Sequence, residues 1–156
     1  MAKRIRYKIG DIFLVPLEDD LNGVGRILKK DQATIFIELY KIKPIKDVSE
    51  FNFEEVIREK PLAMSWCYDS LIKKGEWIII DNKPIEEEIE MPLFWHIDSG
   101  DMKYYIRKGM PDCFETFGER VEISKDDIDK YEGEGIGDGY SERNIYIKRL
   151  KKVGLL

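Results

Sequence analysis

The sequence predicts a β-rich α+β fold: a meandering curved antiparallel sheet or small barrel with one or two short helices. Two observations carry this. Segments dense in β-branched and aromatic residues recur along the chain, set apart by polar turns. The first three follow one another across short turns, the spacing of a meander.

Taken in order, residues 4–17 read as a first strand. Ile5, Tyr7 and Ile9 alternate, then Ile12-Phe13-Leu14-Val15 runs apolar, with a bend at Gly10 and a stop at Pro16. The acidic turn from Glu18 to Gly23, with its Asn22-Gly23 pair, is a hairpin tip. A second strand follows at 23–30 and a third at 33–42, where Ile35-Phe36-Ile37 gives the densest strand signal of the chain. A short helix is expected around 53–59, stopped before Pro61. Trp66-Cys67-Tyr68 marks a strand within 62–74, and the segment from Gly75 to Ile85, through Trp77-Ile78-Ile79-Ile80, reads as a strand ended by a polar turn. Glu86 to Glu90 lead into the apolar segment 91–97. Residues 103–108 and 117–123 read as strands, with Gly109-Met110-Pro111-Asp112 a turn between them. Ser124 is placed to cap a short helix over 124–131, with acidic side chains in its first turn. Gly133, Gly135, Gly137 and Gly139 predict a flexible loop. Asn144-Ile145-Tyr146-Ile147 predicts a last strand, and 148–152 a basic tail. No linker divides the chain, so residues 1–156 read as a single domain.

Composition narrows the function classes. The chain has 156 residues, 43% hydrophobic and 37% charged, enough for a sizeable core under a charged surface. A net charge of −5 argues against nonspecific nucleic-acid binding. No apolar run approaches the roughly 20 residues that cross a bilayer. No apolar segment follows the basic residues Lys3 and Arg4, so no secretory signal is read and the cytosol is the expected compartment. One histidine and two distant cysteines, Cys67 and Cys113, assemble no metal set, and no cofactor is expected. Both cysteines read as buried thiols.

Several constellations invite sharper readings. Gly10 and Asp11 fit a bulge and a turn hydrogen bond better than a binding loop. Trp77 reads as core, as do Trp66 and Trp95. His96, Asp98, Ser99 and Asp101 lie within six residues, yet no Gly-x-Ser-x-Gly elbow accompanies them, so a polar turn is preferred to a hydrolase. The Gly133–Gly139 segment lacks the Lys-Ser or Lys-Thr pair of a phosphate loop, and Glu134 and Asp138 would repel phosphate.

Three sets of residues carry a family resemblance. They are Gly10-Asp11-Ile12-Phe13 with Pro16-Leu17 and Gly23-Val24-Gly25-Arg26-Ile27-Leu28; Gly75-Glu76-Trp77-Ile78-Ile79 leading to Pro84-Ile85; and Pro92 with Phe94. In this order and spacing they resemble the immunity protein 26 family over about residues 8–97. One departure is Asp81, near the place where the family usually carries a second glycine. The region after about residue 110 shares no such pattern. The resemblance implies a mainly β antitoxin of a polymorphic toxin system. Such a protein binds a cognate toxin stoichiometrically and makes or breaks no bond. For a partner with a basic active site, the acids Glu18, Asp19 and Asp20 at the hairpin tip, and Glu86, Glu87, Glu88 and Glu90, are the candidate partner-binding residues. The competing readings are a small metal-independent hydrolase using His96 and a carboxylate, and a phage- or defence-related adaptor.

Overall fold

A computed structural model of the chain describes residues 4–109 and 118–156. The described strands are β1 (Asp11–Pro16), β2 (Asn22–Asp31), β3 (Thr34–Leu39), β4 (Ala63–Tyr68), β5 (Ile79–Asn82), β6 (Leu93–Ile97), β7 (Tyr104–Lys108), β8 (Val121–Ile123), β9 (Glu132–Gly133) and β10 (Ile136–Gly137). The α-helices are α1 (Phe53–Val56), α2 (Ser70–Lys73) and α3 (Tyr140–Lys152); tight 3-10 turns occupy Val48–Glu50 and Lys125–Lys130. Six strands form one sheet in the order β10-β4-β3-β2-β1-β5, and four form a second in the order β8-β7-β6-β9. Neither closes into a barrel, so the fold is the open curved-sheet form of the β-rich α+β class. The β1–β4 part of the larger sheet is the antiparallel meander the sequence predicts.

Because side chains alternate along a strand, each face of this sheet reads off a different set of residues. Phe13, Val15, Ile27, Ile35, Ile37, Leu39 and Cys67 project to one face. There they pack with Leu71 and Ile72 of α2, with Trp77, and with Tyr146, Ile147 and Leu150 of α3. Phe13 and Trp77 stack in parallel, centroids 5.1 Å apart. The opposite face carries Ile12, Val24, Arg26, Phe36, Glu38, Tyr40, Met64 and Trp66. Its apolar members fall into two separate clusters, Leu28–Phe36–Trp66–Met91–Phe94 and Ile12–Val24–Tyr40–Ile45. All six residues of β3 are buried, as a strand sandwiched on both faces must be.

Four local expectations are corrected. The first strand begins at Asp11, not at residue 4. Gly10 adopts φ +93° and turns the chain, so Ile5 and Ile9 alternate without a ladder and stay exposed. Residues 144–147 and the basic tail are not a strand and a coil but parts of α3. The helix follows from tertiary burial at Glu142, Tyr146 and Leu150, spaced four apart on one face, which overrides the β propensity of Ile145 and Ile147. Its cations Arg149, Lys151 and Lys152 lie in the last turn, where the helix dipole favours them.

The glycine-rich segment is not a free loop. It places β9 beside β6 and β10 beside β4, both in parallel, so one short stretch joins both sheets. Gly137 has no side chain because a Cβ there would fall 1.9 Å from the carboxylate of the buried Glu142. Residues 70–73 form α2, hidden within the predicted 62–74 segment. The helix over 124–131 is 3-10, with Ser124 capping as expected by accepting from the Asp126 N–H. The predicted turn at Met110–Asp112, Phe117 of the 117–123 strand, and Cys113 lie outside the described residues.

Candidate functional site

Between the two apolar clusters on the second face lies a buried polar cluster. Arg26 of β2 and Glu38 of β3 are direct cross-strand partners, 1% and 7% exposed. The Arg26 guanidinium donates to the carbonyls of Lys83 and Pro84 at 2.8–3.1 Å and to Glu87 Oε1 at 2.7 Å. Its Cζ lies 4.9 Å from the centre of the Phe53 ring. Arg26 therefore pins the β5–β6 connection to the sheet. Glu38 Oε1 accepts from the Tyr40 hydroxyl at 2.5 Å and lies 3.8 Å from Arg26 Nη1. Burial pushes the Glu38 carboxyl above the usual carboxylate range, against the opposing pull of the Tyr40 bond and the Arg26 charge.

Glu38 and Tyr40, with Leu28 and Met64, floor a groove of about 770 Å³ where the two sheets meet. One wall is Ile57 to Pro61, the other Glu87 to Leu93, and Lys130 to Glu132 close one end. Six glutamates and two lysines line it, and Lys130 is already paired with Asp127 at 2.8 Å. The walls between these charges are aliphatic: Ile57, Ile89 and Met91.

The seven predicted partner-binding acids are all exposed, and the structure separates them. Glu87, Glu88 and Glu90 line the groove; Glu86 sits beside them without lining it. Glu18 at the hairpin tip pairs with Lys151 of α3 at 3.1 Å, on the side of the sheet that α3 covers, while Asp19 and Asp20 turn the chain at φ 57° and 59°. The two acidic groups thus serve opposite faces. Sequence reading did not single out Glu38. The signal, a carboxylate opposite an arginine, emerges only once β2 and β3 are in register.

A second surface was also missed. Strand register puts Trp95, Ile106 and Val121 in one row and Ile97, Tyr104 and Ile123 in the next, with Leu93 on the same face of the smaller sheet. Leu93, Ile97 and Val121 are exposed and the others half-buried; none of the seven joins a core cluster. This apolar face meets the groove at Leu93, which belongs to both. Trp95 is accordingly not core, whereas Trp77 and Trp66 are, at 2% and 5% exposed.

The His96 constellation is a turn. The Asp98 carboxylate accepts from the Gly100 and Asp101 N–H groups and from Arg120, and Asp101 accepts from Tyr105. These bonds hold Asp98 and Asp101 below the usual carboxylate range, the Arg120 and Tyr105 contacts contributing most. His96 stacks on Tyr105, and its Nδ1 lies 3.2 Å from Glu134 Oε2, close enough for an ion pair but out of line for a hydrogen bond. No hydrogen bond joins Ser99 to His96 among the described residues. Nor do any described His, Cys, Asp and Glu residues form a group of three or more suited to a metal ion.

A family model described as Immunity protein 26 matches residues 8–106, well over half of the chain. The chain belongs to the immunity protein 26 family. No curated protein and no solved structure matches it. The matched span holds the Arg26–Glu38–Tyr40 floor and the Glu87–Leu93 wall; the closing end, Lys130 to Glu132, lies beyond it.

The motifs of the immunity protein 26 resemblance now have physical reasons. Gly23 and Gly25 face the α3 side bare because a Cβ would run into the Tyr146 ring and into Phe13. Asp11 accepts from the Lys8 N–H and from Asn82, fastening the turn at Gly10 to β5. Pro92 lines the groove, and Phe94 is buried in the cluster that also holds Met91 and Trp66.

Proposed function

We propose that this protein is an immunity protein that binds a bacterial toxin in the cytosol and neutralises it by stoichiometric association, without catalysis. The observation that carries the reading is the immunity protein 26 match across residues 8–106. The groove supplies the contact surface: a concavity with acidic lining and aliphatic walls, continuous with an apolar sheet face, suits a protein partner with a cationic feature at its active site. The acids at 88 and 90 act there while Glu87 is held by Arg26, and the hairpin-tip acids steer less because Glu18 is engaged by Lys151.

The test is co-expression with the toxin encoded beside this gene, followed by association kinetics with the purified pair. Cells carrying the protein survive. Charge reversal by Glu88→Lys and Glu90→Lys slows association several-fold and flattens its salt dependence, since it removes the long-range attraction that salt screens beyond about 8 Å at physiological strength. Reversal of Glu18, Asp19 and Asp20 has the smaller effect. His96→Ala leaves protection intact. A folded His96→Ala variant with all protection lost, or a toxin that is destroyed rather than bound, favours the hydrolase reading instead.

A further inference from the structure

The acidity of the groove is concentrated on one atom that the fold leaves incomplete. Glu38 is 7% exposed and lines the groove. Its Oε1 is taken by Tyr40, but Oε2 has no hydrogen-bond partner among the described residues. Arg26 does not supply one. It donates to two backbone carbonyls and to Glu87, and its nearest approach to Glu38 is 3.8 Å, to the same Oε1. Oε2 is not sealed away: it opens on the groove that Glu38 lines, where an incoming donor can reach it. Around Glu38 the lining alternates aliphatic groups, Leu28, Met64 and Ile89, with the carboxylates Glu88, Glu90 and Glu132. A long side chain with an apolar stem and a cationic head matches that arrangement end to end.

We infer that the groove is a socket for a single lysine or arginine side chain of the partner, with Glu38 Oε2 as its terminal acceptor. The chemistry of the occupant follows from the groove alone; that it belongs to the toxin rests on the reading above. Lys60 is the only lining cation without a described ion pair, and it sits exposed on the wall from Ile57 to Pro61. The incoming cation is thus met by an excess of carboxylates.

The probe is Nα-acetyl-lysine methylamide, titrated into the full-length protein and followed by backbone amide shifts at Glu38, Tyr40 and Met64. The uncharged control is Nα-acetyl-norleucine methylamide. The lysine probe should give a saturable response, weakened by salt, and the norleucine probe none. Glu38→Gln keeps the shape and the Tyr40 bond but removes the charge; it should weaken the lysine probe by about tenfold or more, the effect of one charge-assisted hydrogen bond. Glu90→Gln, on the wall, should weaken it less and serves as a second folded variant. Equal binding of norleucine, or lysine-probe binding that Glu38→Gln leaves unchanged, overturns the socket. The two readings separate in cells. If Glu38→Gln abolishes probe binding yet protects against the toxin as well as the parent chain, the socket stands and its assignment to the toxin falls.

Discussion

The two faces of the larger sheet are built from the same four strands and solve different problems. On the α3 face the core cluster is wholly apolar or aromatic, with the buried Glu142 of α3 and Ser65 of β4 beside it, and glycines at 23 and 25 let rings lie directly on the backbone. On the other face an arginine and a glutamate split the apolar residues into two clusters. The first face is held by close packing, which is dense and non-directional. The second is held by directional bonds from one guanidinium, which also fix the wall of the groove. Stability and recognition are thus divided between the two sides of one sheet.

That division can be broken most forcefully at Trp77. Trp77→Ala removes a buried ring stacked on Phe13 and should cost about 3–5 kcal/mol by denaturant unfolding. Probe binding by whatever fraction stays folded should be unchanged. Arg26→Met tests the other face. It strands two backbone carbonyls and leaves Glu38 without its nearest cation, so about 3 kcal/mol is expected. Here binding should fall together with stability, because the Lys83–Glu87 segment loses its anchor. Adding Glu38→Gln to that variant should recover part of the stability and none of the binding, a double-mutant cycle that isolates the pair. Loss of binding in Trp77→Ala as large as in Arg26→Met would abolish the distinction between the faces.

Smaller effects sharpen it. The Tyr146 hydroxyl donates to the Tyr40 carbonyl at 2.6 Å and accepts from the Val24 N–H, so Tyr146→Phe should cost about 1–2 kcal/mol, measured by urea unfolding. The smallest effect is a pH dependence. The folded Glu38 carboxyl titrates above its unfolded value, so its contribution is favourable at low pH and is lost as pH rises through the folded pKa. Glu38→Gln lacks that loss. Its melting temperature relative to the parent chain should therefore rise from acid to neutral pH. A difference that stays flat over that range would show that the carboxylate is fully compensated where it lies.

How much of this was legible varies with the physical origin of each signal. The β2 and β3 strands were readable because their pattern is local and dense, and the Trp77 burial followed from its apolar neighbours. The cap at Ser124 was readable because capping needs only adjacent residues. The helix at 140–152 was not, since its evidence is a four-residue period of burial against a sheet far away in sequence, and Asn144 to Ile147 taken alone favour a strand. The acids at 87, 88 and 90 were named from charge alone, but Glu38, which gives the groove its floor, could be recognised only once β2 and β3 were in register. The apolar face of the smaller sheet was hidden for the same reason: its three strands must be aligned before Trp95, Ile106 and Val121 fall in a row.

The stretch from Glu132 to Gly137 pairs with each sheet through a ladder only two residues long, one on β6 and one on β4, to which Glu134 adds bonds to the Trp95 carbonyl and Arg107. It behaves as a hinge pin rather than a weld. Amides engaged in such brief ladders open without disturbing the long β2–β3 ladder, so their hydrogen exchange should be fast beside that of Ile35 to Ile37. Since Glu132, bonded to Arg149 of α3, belongs both to this pin and to the end of the groove, opening of the short ladders would be felt first at that end of the groove. A partner that wedges between the sheets would therefore load this pin and the ion pairs of Glu132 and Glu134 that hold it.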